Sequence, residues 1–205
     1  MAGWRAHQGQ AVALARANVD TDQLIPARFM SVPRTQGYGD YLLHDLRRTE
    51  AGELRSDFVI NQFSNATVLI AGPNFGSGSS REAAVYALVD AGFRAVFAPS
   101  FGDIFSSNAV NNGLLSARIE VVTYENLLMQ LGTGTCETSI NLDDQTALIG
   151  NENIDFTLDE TWRIKLINGW DDIDLTQHHS DEIARFKTKY VQSNPWVLPV
   201  RQIKS

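Results

Sequence analysis

The feature that most constrains this chain is the apolar run Ala66 to Ala71 (ATVLIA), followed without pause by GPNFGSGSSRE, Gly72 to Glu82. A short apolar run bounded by a glycine turn is the pattern of a strand covered on both faces. Ser79 to Ala91 then places Ala84, Leu88 and Ala91 on one helical face, with Gly92 as a C-terminal stop. Ala95 to Ala98 (AVFA) repeats the buried-strand pattern, Phe101 to Asn112 reads as a further helix, and Leu114 to Val122 returns to strand character. That alternation predicts βαβ units and a parallel sheet.

The flanks are less regular. Gln10 to Ala15 reads as a first strand running into the polar turn Asn18-Val19-Asp20-Thr21-Asp22, and Pro26 argues against a helix starting before it. Tyr38, Tyr41, Leu42 and Leu46 predict one amphipathic helix over Gly37 to Arg48, with a long loop to about Asn65. Beyond Gly132, Thr138–Leu142, Thr146–Ile149 and Ile154–Leu158 are short runs between Asp-Asp and Gly-Asn turns, as in antiparallel strands. Helices are expected around Glu160 to Ile167 and Ser180 to Val191. With no repeat, low-complexity tract or linker-like segment, the expectation is one α/β domain over 1–205. Its sheet should be mixed, with a parallel βαβ centre and short antiparallel strands toward the C-terminus.

Composition narrows the function. With 17 Lys and Arg against 24 Asp and Glu, the net charge of -7 repels phosphate backbones, so nucleic acid is not an expected partner. A small anion is still compatible, because a few arginines can dominate one pocket. Cys136 is the single cysteine, which excludes an internal disulfide and a metal site of several thiolates. His178-His179 has no second ligand pair at metal spacing and reads as a solvated helix start, while His7 and His44 stand alone. No stretch has the length of a membrane span, and Met1 to Gln10 lacks the apolar run of a signal peptide. A cytoplasmic protein without membrane contact is expected.

The glycine-rich segment is the strongest chemical signal. It lacks the lysine of a Walker A loop, and Arg81 stands where a dinucleotide fingerprint needs its third glycine. What remains is Ser79 and Ser80 at a helix start beside Arg81. Two readings compete. Ser79 can cap the helix with Glu82 reaching back, or it can act as a base or alkoxide in a field of amide dipoles and a guanidinium. The turn Asn18 to Asp22 is either an ordinary Asx-rich turn or a carboxylate and a hydroxyl set beside the glycine loop. Arg28 and Arg34 follow on the same connection, as surface charges or as anion clamps.

Taken together, NVDTDQLIP, NFGSGSSRE, APSFGDIFSSNAVNNGLL and NGWDDIDLTQHHSDEI resemble the small subunits of 3-isopropylmalate dehydratases, in that family's order and separations, over nearly the whole chain. The resemblance implies a swivelling β/β/α domain of the aconitase type. It also implies a separate large subunit, in a heterodimer or heterotetramer, that holds a [4Fe–4S] cluster through three cysteines and uses it as a Lewis acid, with none bound by this chain. By the same likeness Ser79 is the base, Arg81 binds a carboxylate of a small dicarboxylate substrate, and Asp22 completes the catalytic set. Thr21, Gly78, Ser80, Arg28 and Arg34 would line the substrate. The reaction implied is the isomerisation of 2-isopropylmalate and 3-isopropylmalate through 2-isopropylmaleate in leucine biosynthesis, with no activity in this chain alone. The connection Ala27 to Tyr38 is the expected sensor of the alkyl group. Two positions depart from the pattern: cysteine is common where Ser77 stands, and histidine where Ala83 stands. They keep open a sister hydro-lyase acting on homoaconitate, methylcitrate or dimethylmalate; a non-catalytic anion-binding module is the alternative outside enzymes.

Overall fold

In the computed structural model, residues 2–79 and 81–197 are described. The strands are β1 (Ala6–Leu14), β2 (Val68–Ala71), β3 (Ala95–Ala98), β4 (Leu115–Arg118), β5 (Thr135–Asn141), β6 (Thr146–Ile149) and β7 (Glu152–Asp155), in one sheet of order β4-β3-β2-β1-β5-β6-β7. β4, β3, β2 and β1 pair in parallel, whereas β5, β6 and β7 add antiparallel to β1. The expected mixed sheet is therefore present. β1 is the pivot: Ala11–Leu14 pair with β2, while Ala6–Val12 pair with β5.

Alternation explains two cores. Successive side chains of a strand point to opposite faces. Val12, Leu14, Leu69, Ala71 and Val96 enter one cluster; Ala11, Ala13, Val68, Ile70 and Phe97 enter the other. The helices are α1 (Thr21–Leu24), α2 (His44–Arg47), α3 (Val59–Gln62), α4 (Glu82–Asp90), α5 (Asp103–Asn111), α6 (Val121–Leu131), α7 (Glu160–Asn168), α8 (Asp172–His178) and α9 (Ser180–Ser193). α4 packs Ala84, Val85 and Leu88 into the first cluster; α6 and α7 pack Leu127, Leu131 and Leu166 into the second.

Several boundaries differ from the sequence reading, each for a local reason. The helix expected over Gly37 to Arg48 is broken into a 3-10 turn at Gly39–Tyr41 and the single turn α2, because Leu43 adopts a left-handed backbone (φ 49) and donates its N–H to the Leu24 carbonyl. Pro26 does not prevent a helical turn before it. It ends one: Ile25 is extended, as a residue before proline must be, and α1 stops at Leu24. The long loop to Asn65 contains α3. The strand expected to Val122 ends at Arg118, and Val121 and Val122 open α6 with exposed side chains. α4 begins at Glu82, not Ser79.

The chain divides into two compact units, Met1–Trp170 and Asp171–Ser205. In the second, Asp171 caps α8 through a capping box closed by Asp174. α9 is amphipathic, yet none of its residues is buried. Without a buried stripe it adds no core of its own.

Candidate active site

β1 and β2 run parallel, so their carboxyl ends open on one sheet edge, and the loops leaving them stay zipped together. The Asn18 N–H donates to Pro73 O (2.9 Å), the Gly76 N–H to Val19 O (2.7 Å) and the Thr21 N–H to Ser77 O (2.9 Å). Asn18 and Asn74 both adopt left-handed backbones (φ 55 and 61), and Asn74 Nδ2 donates to Asn18 Oδ1 at 2.8 Å. On its other side the glycine loop is tied to the loop after β3. The Asn74 N–H donates to Ser100 Oγ (2.8 Å) and the Phe75 N–H to Ser100 O (3.1 Å). Two glycines permit this path. At Gly76 (φ 71) a Cβ would stand 2.2 Å from Phe105 Cγ, and Gly78 has φ 90, a conformation that side chains rarely adopt.

Five of the expected residues, Thr21, Asp22, Gly78, Ser79 and Arg81, meet at this edge. Thr21 is buried, and its Oγ1 donates to Ser79 O at 2.6 Å; with that proton engaged, it can only accept from Ser79 Oγ, 3.5 Å away. Asp22 and Arg81 form an ion pair, with side chains 54% and 24% exposed. Asp20 spends its carboxylate on capping α1, accepting from the Gln23 N–H at 2.7 Å. Gly78 shapes the turn before Ser79, and Ser80 lies outside the described residues.

The capping reading of Ser79 fails. The N-cap of α4 is Arg81, with no side-chain cap bond, and the Arg81 N–H itself donates to Ser79 O (2.8 Å). Glu82 does not reach back; it accepts from Asn112 Nδ2 at 2.9 Å. Ser79 is exposed, with its hydroxyl beside Thr21 and close to the positive end of α4.

Arg34 and Arg28 are placed elsewhere. Arg34 grips Asp90 through Nε (3.2 Å) and Nη2 (3.0 Å), and its guanidinium carbon lies 3.5 Å from the Tyr86 ring centroid. Asp90 ends α4, which puts it roughly 13 Å of helical rise from Arg81. Arg28 pairs with Asp45, whose carboxyl it holds down to about 2 by hydrogen bonding, with a further bond from His44. Asn74 and Ser100 fall within the quoted motifs but had no role assigned there, and Asp90 lies outside them. An asparagine just ahead of a glycine turn was the one available signal, since asparagine tolerates φ > 0.

Among the described residues there is no group of three or more His, Cys, Asp or Glu that could hold a metal. Cys136, on β5, is half-buried, and burial pushes its thiol up, which disfavours the thiolate a metal needs.

A mixed sheet with a serine, an arginine and an Asp-Thr pair gathered at its parallel edge defines the class: the profile of the aconitase C-terminal domain family matches residues 1–121. Curated relatives narrow it. The 3-isopropylmalate dehydratase small subunit of Rhodospirillum centenum is 42% identical over 194 residues, covering 93% of this chain and 96% of that protein. The Bacillus subtilis protein of the same name is 40% identical, covering 94% and 97%. The crystal structure of a 3-isopropylmalate dehydratase from Methanocaldococcus jannaschii superposes with a TM-score of 0.64 at 25% identity, covering 88% of this chain and 98% of that one. The chain belongs to the family of 3-isopropylmalate dehydratase small subunits.

Proposed function

We propose that, as the small subunit of a 3-isopropylmalate dehydratase in leucine biosynthesis, this chain brings a base, Ser79, and a carboxylate ligand, Arg81, to a malate-type substrate held against a large subunit. The observation that carries this reading is the convergence of Thr21, Ser79 and the Asp22–Arg81 pair on one edge of the parallel sheet. The family resemblance assigns a [4Fe–4S] cluster to the large subunit, where it would polarise the leaving hydroxyl. This chain's own residues do not fit such a group, having one half-buried thiol.

Ser79 Oγ, as the alkoxide, takes the proton from the carbon beside the hydroxyl-bearing carbon; loss of hydroxide then leaves 2-isopropylmaleate, and return of the proton and hydroxide, together one water, at exchanged positions gives 3-isopropylmalate. A serine hydroxyl needs positive surroundings to act so, and Arg81 with the positive end of α4 supplies them. Thr21 fixes the Ser79 carbonyl and so the placement of the base. Asp22 holds the Arg81 fork until a substrate carboxylate takes its place. Gly78, and Ser80 by the resemblance, complete the wall around the substrate. Ser77 joins the site through its carbonyl and Ala83 is buried in the first core, so neither departure from the family pattern touches these groups. Among the described residues no helix is long and apolar enough to cross a membrane. We read 1–205 as one functional swivel domain working in the cytoplasm within a heterodimer or heterotetramer.

The deciding experiment is reconstitution. Dehydration of 2-isopropylmalate should appear only when this chain is mixed with a cluster-loaded large subunit under anaerobic conditions, and Ser79→Ala should remove it. Turnover by the chain alone, or an active Ser79→Ala assembly, would overturn the assignment.

A further inference from the structure

A cavity of about 570 Å³ opens over β4, the edge strand of the parallel half, between the start of α5 and the start of α7. That volume is within the range of small-molecule sites, roughly 300–1,000 Å³. None of Thr21, Asp22, Ser79 and Arg81 is among the described residues that line it. Alternation along β4 puts Ser116 and Arg118 on one face, opposite Leu115 and Ala117, which enter the second core. Helical spacing sets Asp103 and Ser106 side by side on α5. Thr157 donates its N–H to Arg118 O (3.1 Å), which brings Leu158, Asp159 and Trp162 to the open side of β4.

Three groups in these walls lack partners. The Ser116 hydroxyl is buried and makes no hydrogen bond, a costly state for a hydroxyl removed from water. The Arg118 guanidinium and the Asp103 carboxylate form no ion pair or hydrogen bond among the described residues, not even with each other. Asp159 differs: its carboxylate caps α7, accepting from the Thr161 N–H (2.8 Å) and the Trp162 N–H (3.3 Å). A cation and an anion that line one cavity without meeting match a ligand that carries both charges. Phe101, Leu158 and Trp162 give that ligand an apolar wall.

We propose that this cavity is a second ligand site, for a free α-amino acid with an apolar side chain. Arg118 and the Ser116 hydroxyl take the carboxylate, Asp103 takes the ammonium, and the side chain lies against Leu158 and Trp162. A small dicarboxylate is disfavoured, because its second carboxylate would face Asp103. Binding here needs neither Ser79 nor a large subunit.

The test is calorimetric titration of the full chain with L-leucine and L-phenylalanine. Each is compared with its analogue lacking the ammonium (isocaproate, hydrocinnamate) and its analogue lacking the carboxylate (isoamylamine, phenethylamine). At least one amino acid should bind with Kd of roughly 1 mM or below, and its two analogues at least roughly tenfold more weakly. Arg118→Gln and Asp103→Asn should each weaken the amino acid by a similar factor at unchanged Tm. Arg118→Gln should also abolish the discrimination against the amine analogue, and Asp103→Asn that against the acid analogue, which a general loosening of the fold would not do. Ser79→Ala should bind as the natural chain does. No binding of either amino acid at roughly 10 mM, binding indifferent to both charge variants, or displacement by 2-isopropylmalate would overturn the proposal. Loss of binding in Ser79→Ala would overturn it too, by placing the ligand at the active edge.

Discussion

The two ends of α4 carry the same chemistry in different company. At its start, Arg81 faces Asp22, which is more than half exposed, next to a serine hydroxyl with no capping duty. At its end, Asp90 is only 20% exposed and is met by three donors, two of them from Arg34, whose guanidinium lies over the Tyr86 ring. A pair of exposed ions is worth little and is easily exchanged for another ligand. A carboxylate that accepts three hydrogen bonds, two of them from one arginine fork, is a structural fixture. One ion-pair type is therefore readily exchanged at one end of this helix and an anchor at the other.

The sharpest way to break this comparison is Ser79→Ala. Turnover in the assembled enzyme should fall about 10²–10⁴-fold, as for loss of a general base, while Tm stays put because no cap is lost. A lowered Tm with normal turnover would put Ser79 back among structural residues. Arg81→Lys comes next. Lysine keeps the charge but lacks the planar fork, and a charged hydrogen bond is worth about 1.5–3 kcal/mol, so kcat/KM should fall roughly 10–100-fold. Unchanged kinetics would mean that Arg81 serves Asp22 only, and the two ends of α4 would then be alike.

Asn74 tests the zipper behind the site. Asn74→Ala puts at φ 61 a residue that tolerates the left-handed region less well than asparagine and removes the bond to Asn18, together costing about 1–2 kcal/mol, or a Tm drop of about 2–8 °C. Asn74→Gly keeps the backbone and removes only the bond to Asn18, so it should spare Tm and lower kcat. Equal Tm losses in both variants would place the stabilisation in the side-chain bond.

The smallest effect is expected at the exposed Arg28–Asp45 pair. Asp45 titrates at about 2 when folded against 3.8 unperturbed, so its contribution is present above about pH 4 and is lost as pH falls toward 2. Because the pair is exposed, that contribution is well below the full shift, about 0.2–1 kcal/mol. Asp45→Asn should flatten the Tm-versus-pH curve in that window and change little at pH 7. A large rise in KM for Arg28→Gln would show that Arg28 leaves Asp45 to take up substrate.

The buried strands Val68–Ala71 and Ala95–Ala98, the glycine turn and the Asp-Thr-Asp segment were legible in the sequence, because covered parallel strands and tight turns each demand particular residue types locally. Chemistry was legible to the same extent: a serine pair with an arginine after a glycine loop. Where α4 starts was not, since Ser79-Ser80-Arg81-Glu82 satisfies the capping pattern on paper, yet the pull of the Thr21 hydroxyl on the Ser79 carbonyl places that serine outside the helix. Nor could the chain order show that Arg34 would meet Asp90, 56 residues away. Local sequence determined which segments are strand, turn and reactive loop, because those choices depend on backbone preference and apolar spacing over a few residues. Which arginine faces the serine and which is spent on a carboxylate was decided by tertiary structure alone, because ion pairing depends on distances that exist only once β1, β2 and α4 are packed.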